Sequence, residues 1–257
     1  MSDPATLAAL GGTSLLAGAV NAIAGGGTFF TFPVLIWAGL PPLLANTTNM
    51  VALLPANLTA LAALRGDLRR AGGYARLFAV MGAIGGAGGA VLLLNLGNAV
   101  FSALVPWLIG FATLLFAVAP QLRRLATRAR PAAEARLGPA PLSFLALVSL
   151  YGGYFGAGLG QMTLATLTLC GFTDLRAAIA LKNLLIFCIT FAAVLVIAAG
   201  GTLHWPYAAL MFAGSALGGF LGGHLLTHVP AQPVRWAIIA YGTFLTLVYS
   251  GVYSGGV

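Results

Sequence analysis

Long, uninterrupted apolar runs constrain this chain more than any other feature. Several extend for about 20 residues, as in 77–96 and 177–199, and a helix needs roughly 20 apolar residues to span a bilayer core about 30 Å thick. Hydrophobic residues make up 60% of the 257 residues and charged residues only 6%. This composition excludes a water-soluble domain with a polar surface. The sequence therefore predicts an all-α polytopic membrane protein.

Ten apolar elements follow one another along the chain, five in each half. In the first half we predict helical elements at 6–24, 28–39, 43–64, 77–96 and 99–119. In the second half the predicted elements are 142–157, 160–171, 177–199, 207–227 and 234–253. The second element of each half has only 12 residues, so it reaches about 18 Å and is either a short span or a re-entrant segment.

The two halves resemble each other at a constant offset of 133 residues. The aligned pairs include Gly25 and Gly158, Gly27 and Gly160, Tyr74 and Tyr207, Gly85 and Gly218, Gly86 and Gly219, and Gly89 and Gly222. So many coincidences at one offset indicate a tandem duplication. We expect a first membrane repeat at 1–120, a basic cytoplasmic linker at 121–140 and a second membrane repeat at 141–257.

The arginines indicate that the two repeats are inverted relative to each other. The segment after the third element of the first half is rich in arginine, whereas its counterpart "GGTLHWP" at 200–206 has no cation. Conversely, the segment "NLGN" at 95–98 has none, and its counterpart carries Arg235. Cytoplasmic loops accumulate Lys and Arg. This swap predicts inverted repeats with a cytoplasmic linker and periplasmic termini, and the first apolar run, which lacks a basic leader, is expected to be retained.

Each repeat carries a glycine-interrupted segment that points to a binding site. These segments are "AGGGT" at 24–28 and "AGLGQ" at 157–161, and non-helical backbone at membrane depth occurs only where it lines a cavity or is buried in protein. In transporters with inverted repeats, such breaks hold the substrate near the bilayer midplane. The predicted substrate-binding residues are Asn21, Gly25, Gly26, Gly27, Thr28, Asn49, Gly158, Gly160, Gln161, Lys182 and Asn183.

Lys182, the only lysine, lies well inside an apolar run. A cation inside the membrane costs at least ~2.5 kcal/mol and therefore predicts a functional role. The alternative is a lysine that snorkels to the cytoplasmic interface near Asp174 and Arg176. One ammonium together with the amides of broken helices would favour an anion, although each neutral polar side chain could instead form an interhelical hydrogen bond.

Other functional classes lack their characteristic residues. None of the four acidic residues lies in the middle of a predicted span, which argues against a carboxylate proton relay and an acidic cation filter. His224 and His228 have no third ligand nearby in sequence, and no catalytic motif or cofactor motif is found, so we expect no metal site, no cofactor and no enzyme activity. The net charge of +8 is concentrated in loops and is a topology signal rather than a nucleic-acid site.

Two segments carry a resemblance to a known family. The segment "GAVNAIAGGGTFFTFPVLIWAGLPPLLANTTNMVALLPANLTA" at 18–60 and its weaker copy at 151–193 resemble the paired signature of the sulfite exporter TauE/SafE family, also called the 4-toluene sulfonate uptake permease family. The resemblance covers essentially the whole chain. It implies transport of sulfite, sulfonates or sulfoacetate across the bacterial inner membrane. The second copy has "AGLGQ" in place of the triple glycine, which leaves open whether both copies contact the substrate equally.

The sequence and the resemblance together predict a secondary transporter, an exporter of a small sulfur-containing anion by alternating access. Lys182 would supply charge, the two glycine turns would supply backbone N–H groups, and neighbouring amide and hydroxyl groups would orient the oxygens. The alternatives are a passive anion channel with the same site, a membrane enzyme or an assembly subunit. The expected partners are the small anion and the lipid bilayer, with no nucleic acid, and a homodimer is left open.

Overall fold

The computed structural model describes residues 3–23, 25–63, 65–129, 137–170, 172, 174–225 and 231–254. Within these residues the chain is helical and contains no strand, which confirms the all-α prediction. Part of the predicted linker, at 130–136, and His228 lie outside the described residues. Two described stretches, Tyr74–Gln121 and Arg176–Ala199, are long and apolar enough to cross a membrane.

The helices follow the predicted elements closely. They are α1 Pro4–Ile23, α2 Thr28–Trp37, α3 Pro42–Ala63, α4 Arg65–Arg70, α5 Tyr74–Ala129, α6 Pro139–Tyr154, α7 Leu159–Leu169, α8 Leu175–Ala199, α9 Trp205–Leu225 and α10 Ala231–Ser254. The one difference is the short α4, which was not predicted. The predicted elements at 77–96 and 99–119 are two helical segments within α5, separated at Gly97, where the backbone is not helical (φ 73°, ψ −180°).

Local chemistry explains where several helices begin and end. Asp174 caps α8, because its carboxylate accepts hydrogen bonds from the amides of Arg176 at 2.9 Å and Ala177 at 3.2 Å. Beyond the end of α2, Gly39 has a φ of 89°, and α3 then begins at Pro42, a residue type favoured at the first helical position. At the kink in α5, Gly97 has a φ of 73°, which glycine adopts without steric cost.

Glycines let helices of one repeat pack closely on helices of the other. Gly86 on α5 lies against the backbone of Ile189 on α8. Its counterpart Gly219 on α9 lies against Ala56 on α3, and Ala56 precedes Ile189 by the same 133 residues. Likewise α5 packs on α6, and α9 packs on α1. The contacts between the halves are therefore reciprocal, and small residues permit this close approach.

Equivalent helices of the two halves run antiparallel where they meet. Near the start of α3, the Thr48 hydroxyl accepts a hydrogen bond from the amide of His204, just beyond the end of α8. Further along α3, Asn57 donates to Thr190 in the middle of α8. On α5 and α10, Gly110 faces Thr246 and Gly242 faces Thr113. Residues later in α3 or α5 therefore pair with residues earlier in α8 or α10.

Candidate functional site

The starts of the two short helices meet in the interior. The turn before α2 contains Gly25 with a φ of 62°, and the turn before α7 contains Gly158 with a φ of 80°, a region in which glycine is favoured. A Cβ atom on Gly25 would lie 3.8 Å from the Cα atom of Gly160, so the two turns are nearly in contact. The first N–H groups of a helix have no intrahelical partner, and α2 and α7 therefore bring two such ends together.

A cavity of about 50 Å³, lined by both polar and apolar residues, lies between these turns and helices α3 and α8. Its lining includes Asn49 and Asn57 on α3 and Ile186 and Thr190 on α8, all away from the ends of their helices. The cavity therefore lies between α3 and α8, away from the ends of these helices. Since a buried water occupies about 10–15 Å³ on this measure, the cavity has room for three to five water-sized groups.

Asn21 and Asn57 form a chain of hydrogen bonds along the cavity wall. The side-chain oxygen of Asn21 accepts from the amide of Gly26 at 3.4 Å, and its NH₂ group donates to the side-chain oxygen of Asn57 at 2.9 Å. Asn57 in turn donates to the hydroxyl of Thr190 at 3.4 Å. This series of hydrogen bonds connects the first glycine turn with α3 and α8.

Asn49 lies on another part of the cavity wall, and its side-chain oxygen and NH₂ group also form internal hydrogen bonds. Its side-chain oxygen accepts a hydrogen bond from the hydroxyl of Thr31, and its NH₂ group donates to the hydroxyl of Thr28 at 3.4 Å. The Thr31 hydroxyl also lies 3.0 Å from the carbonyl oxygen of Gly27, and its single proton can serve only one of the two oxygens. Each asparagine NH₂ group carries two N–H donors, of which the hydrogen bonds above use one, so each asparagine keeps one N–H for a ligand.

The structure brings seven of the eleven predicted site residues to the cavity and leaves four outside its lining. The seven that line it are Asn21, Gly25, Gly26, Thr28, Asn49, Gly158 and Gly160. Gly27 lies behind the wall, where a Cβ atom would be 2.9 Å from the carbonyl oxygen of Ala17. Gln161 and Asn183 are half-buried near the same turns but do not line the cavity.

Lys182 lies directly behind the cavity wall. Its side chain is only 6% exposed, and its Cδ atom is 3.6 Å from the position that a Cβ atom on Gly160 would occupy. Lys182 is seven residues from the start of α8, which is about 10 Å along the helix axis. The side chain therefore packs against the second glycine turn, in the interior of the protein, and Gly160 separates it from the cavity.

Two polar lining residues, Asn57 and Thr190, were not predicted. They are the two polar residues that contact each other at the centre of α3 and α8, and they are separated by the repeat offset of 133 residues. Each lies in the middle of an apolar run, where a polar residue is expected to have a partner. The signal that could have found them is the alignment of one polar residue on another at that offset.

The described residues contain no group of three or more histidine, cysteine, aspartate or glutamate side chains that could hold a metal ion. Asp174 is a helix cap at the start of α8 rather than a ligand in the cavity. Cys170 is buried and Cys188 is half-buried, and both are free thiols. The polar groups described at the cavity are therefore amides, hydroxyls and backbone groups.

Comparisons with known proteins agree with the resemblance found in the sequence. A family model described as "Sulfite exporter TauE/SafE" matches residues 10–249. The chain is 32% identical over 251 residues to a "Probable membrane transporter protein" of Haemophilus influenzae, covering 93% of this chain and 92% of that protein. It is 28% identical over 242 residues to the "Probable membrane transporter protein YfcA" of Escherichia coli K12, covering 93% and 87% of the two chains. No solved structure matches the chain.

Proposed function

Because the chain belongs to the sulfite exporter TauE/SafE family, and its relatives are named as probable membrane transporters, we propose that it is a secondary transporter that exports a small sulfur-containing anion, sulfite or an organosulfonate, across the bacterial inner membrane. In this proposal the protein carries its substrate unchanged and is not an enzyme. The basic linker faces the cytoplasm, the termini face the periplasm, and the two halves form an inverted repeat. A homodimer is compatible with the proposal but is not required by it.

The observation that carries the proposal is the group of amide donors at the cavity. Asn21, Asn49 and Asn57 all line it, and each NH₂ group has one N–H beyond the hydrogen bonds described above. These N–H groups can donate to the oxygens of an oxyanion.

The starts of α2 and α7 and the side chain of Lys182 also favour an anionic ligand. Thr28 is the first residue of α2, Gly160 is the second residue of α7, and both line the cavity. The positive ends of two helix dipoles therefore point toward the ligand. Lys182 lies behind Gly160, and in its protonated form it strengthens the preference for an anion in an interior with a low dielectric constant.

The size of the cavity is compatible with a small oxyanion. With room for about three to five water-sized groups, the cavity can hold an ion such as sulfite. An aromatic sulfonate would need the cavity to widen. Phe155 lines one side of the cavity and packs edge-on against Phe32, with ring centroids 5.7 Å apart. A small site with an aromatic wall favours a carrier that binds one ion at a time over an open channel.

The test is uptake of labelled sulfite by purified protein in liposomes. We expect saturable uptake that exceeds the equilibrium level when a proton or sodium gradient is imposed. We expect Asn49→Leu to lower the initial rate by about 10- to 100-fold, because a hydrogen bond to a charged group contributes about 1.5–3 kcal/mol. The matched control is Asn95→Leu, since Asn95 is exposed and its side chain donates only to the carbonyl of Val91.

The possible outcomes separate the rival functions. Saturable uptake that never exceeds the equilibrium level under any gradient indicates a passive anion channel. An Asn49→Leu variant that elutes as a single species and transports like Asn95→Leu would show that the cavity is not the substrate site.

A further inference from the structure

Arg235 forms contacts that a topology signal alone does not require. Its Nε atom donates a hydrogen bond to the carbonyl oxygen of Phe116 at 3.0 Å, and its Nη2 atom donates to the carbonyl oxygen of Ala117 at 3.3 Å. The side chain is half-buried, and these hydrogen bonds join the start of α10 to the second segment of α5. The guanidinium therefore binds backbone groups of the other repeat.

Pro120 explains why the carbonyl of Phe116 needs a donor from outside its own helix. In a regular α-helix the N–H group of residue 120 donates to the carbonyl of residue 116, but proline has no N–H group. Because Pro120 lies inside α5, the carbonyl of Phe116 lacks its usual helical donor. An unpaired carbonyl is costly in the interior of a membrane protein, and Arg235 supplies the missing hydrogen bond.

Phe116 and Ile238 are both buried and lie directly behind the first glycine turn. The Cζ atom of Phe116 and the Cδ1 atom of Ile238 lie 3.1 and 3.2 Å from the position that a Cβ atom on Gly26 would occupy. Phe116 also packs edge-on against Phe29 in α2, with ring centroids 5.6 Å apart. Since Ile238 follows Arg235 by three residues on α10, the same face of α10 contacts both the proline break and the glycine turn.

Gly26 connects this packing to the cavity, because it lines the cavity and its amide donates to the side-chain oxygen of Asn21 at 3.4 Å. We propose that Arg235 is a positioning residue for the anion site. By binding the carbonyl of Phe116 at the proline break, Arg235 holds Phe116 and Ile238 against the first glycine turn and so keeps Gly26 and Asn21 in place. The inference rests on the proposed function, in that this cavity holds the transported anion.

Arg235→Met removes both hydrogen bonds and keeps much of the aliphatic side chain. We expect it to raise the sulfite concentration for half-maximal uptake by about 10-fold and to leave the maximal rate within about threefold of the parent, because displaced donors bind an anion less tightly. The matched control is Arg176→Met, which removes an exposed arginine from the start of α8 and should stay within about twofold of the parent. A lower melting temperature of Arg235→Met with an unchanged half-maximal concentration would overturn the inference.

Pro120→Ala tests the cause of the effect, because alanine restores an N–H group that can donate to the carbonyl of Phe116. In this background we expect Arg235→Met to raise the half-maximal concentration by less than about threefold, since the carbonyl no longer depends on the arginine. An equal effect of Arg235→Met in both backgrounds would overturn the inference. If Arg235→Met alone does not fold, the double variant should fold, and a double variant that does not fold would also contradict the inference.

Hydrogen exchange distinguishes failure of the inference from failure of the proposed function. Without any anion, we expect Arg235→Met to speed the exchange of the amides at 25–31 by at least about 10-fold in the parent background and by less than about threefold in the Pro120→Ala background. This result without sulfite uptake by the parent would support the positioning role and contradict transport of sulfite. Sulfite uptake by the parent, with parental exchange and a parental half-maximal concentration in Arg235→Met, would contradict only the inference.

Discussion

Replacement of Lys182 with methionine is expected to lower the initial rate of sulfite transport by about 30- to 100-fold. Methionine is nearly as long as lysine and can fill the same space against Gly160, but it carries no charge. At an effective dielectric constant of about 20, loss of a positive charge about 6 Å from an anion costs roughly 2–3 kcal/mol. The measurement is the initial uptake rate in proteoliposomes at a fixed sulfite concentration.

The matched control is Arg176→Met, which removes the same charge from the exposed start of the same helix. We expect this variant to remain within about twofold of the parent, since exposed charges are strongly screened. Lys182→Arg, which keeps the charge, should retain more activity than Lys182→Met. If Lys182→Met transports at the parental rate, the neutral donors bind the anion without help from the lysine.

Substitution of Gly218 with alanine is expected to destabilise the fold strongly for the addition of a single methyl group. A Cβ atom on Gly218 would overlap the carbonyl oxygen of Leu15 and lie 2.8 Å from its carbonyl carbon. Both are backbone atoms of α1, so relief requires the two helices to separate. Overpacking of this kind costs about 1–3 kcal/mol, which corresponds to a fall of about 2–12 °C in the melting temperature of a protein of this size.

Gly12→Ala is the control for this experiment, because Gly12 is also helical but no atom lies within 4 Å of the position that its Cβ atom would occupy. We expect its melting temperature to be unchanged or slightly higher, as alanine is the better helix former by about 0.5–1 kcal/mol. Gly85→Ala should behave like Gly218→Ala, since its Cβ atom would overlap the Ser149 side chain and lie 3.0 Å from the Ser149 carbonyl carbon. A Gly218→Ala protein with the same melting temperature as the Gly12→Ala protein would show that α1 and α9 are not closely packed at Gly218.

The fold could be predicted largely because lipid exposure leaves a simple pattern in the sequence. Apolar runs of about 20 residues specify helices, and glycines and prolines mark their ends. The short α4 was not predicted because Arg65–Arg70 is polar and does not form an apolar run. Its contacts with α8 are known only from the tertiary structure. The helical segments on either side of Gly97 could be predicted as two elements, and the non-helical backbone of Gly97 separates them.

The candidate site could be predicted only in part. The glycine turns could be predicted because a break in an apolar helix is unusual. Asn21 could be predicted because it lies close to the first turn in sequence, and Asn49 because it aligns with Lys182 at the offset of 133 residues. Asn57 and Thr190 become site residues only when α3 crosses α8. The sequence likewise marked Lys182 as functional, but its place behind Gly160, outside the cavity lining, depends on how α7 packs on α8.

Calorimetric titration of the purified protein with sulfite tests the central claim most directly, which is that the donor-lined cavity between the two glycine turns binds an oxyanion. We expect saturable binding with one sulfite per chain, strongly weakened in Asn49→Leu and unchanged in Asn95→Leu. The absence of saturable sulfite binding to the folded parent protein, or equal binding by the two variants, would contradict it.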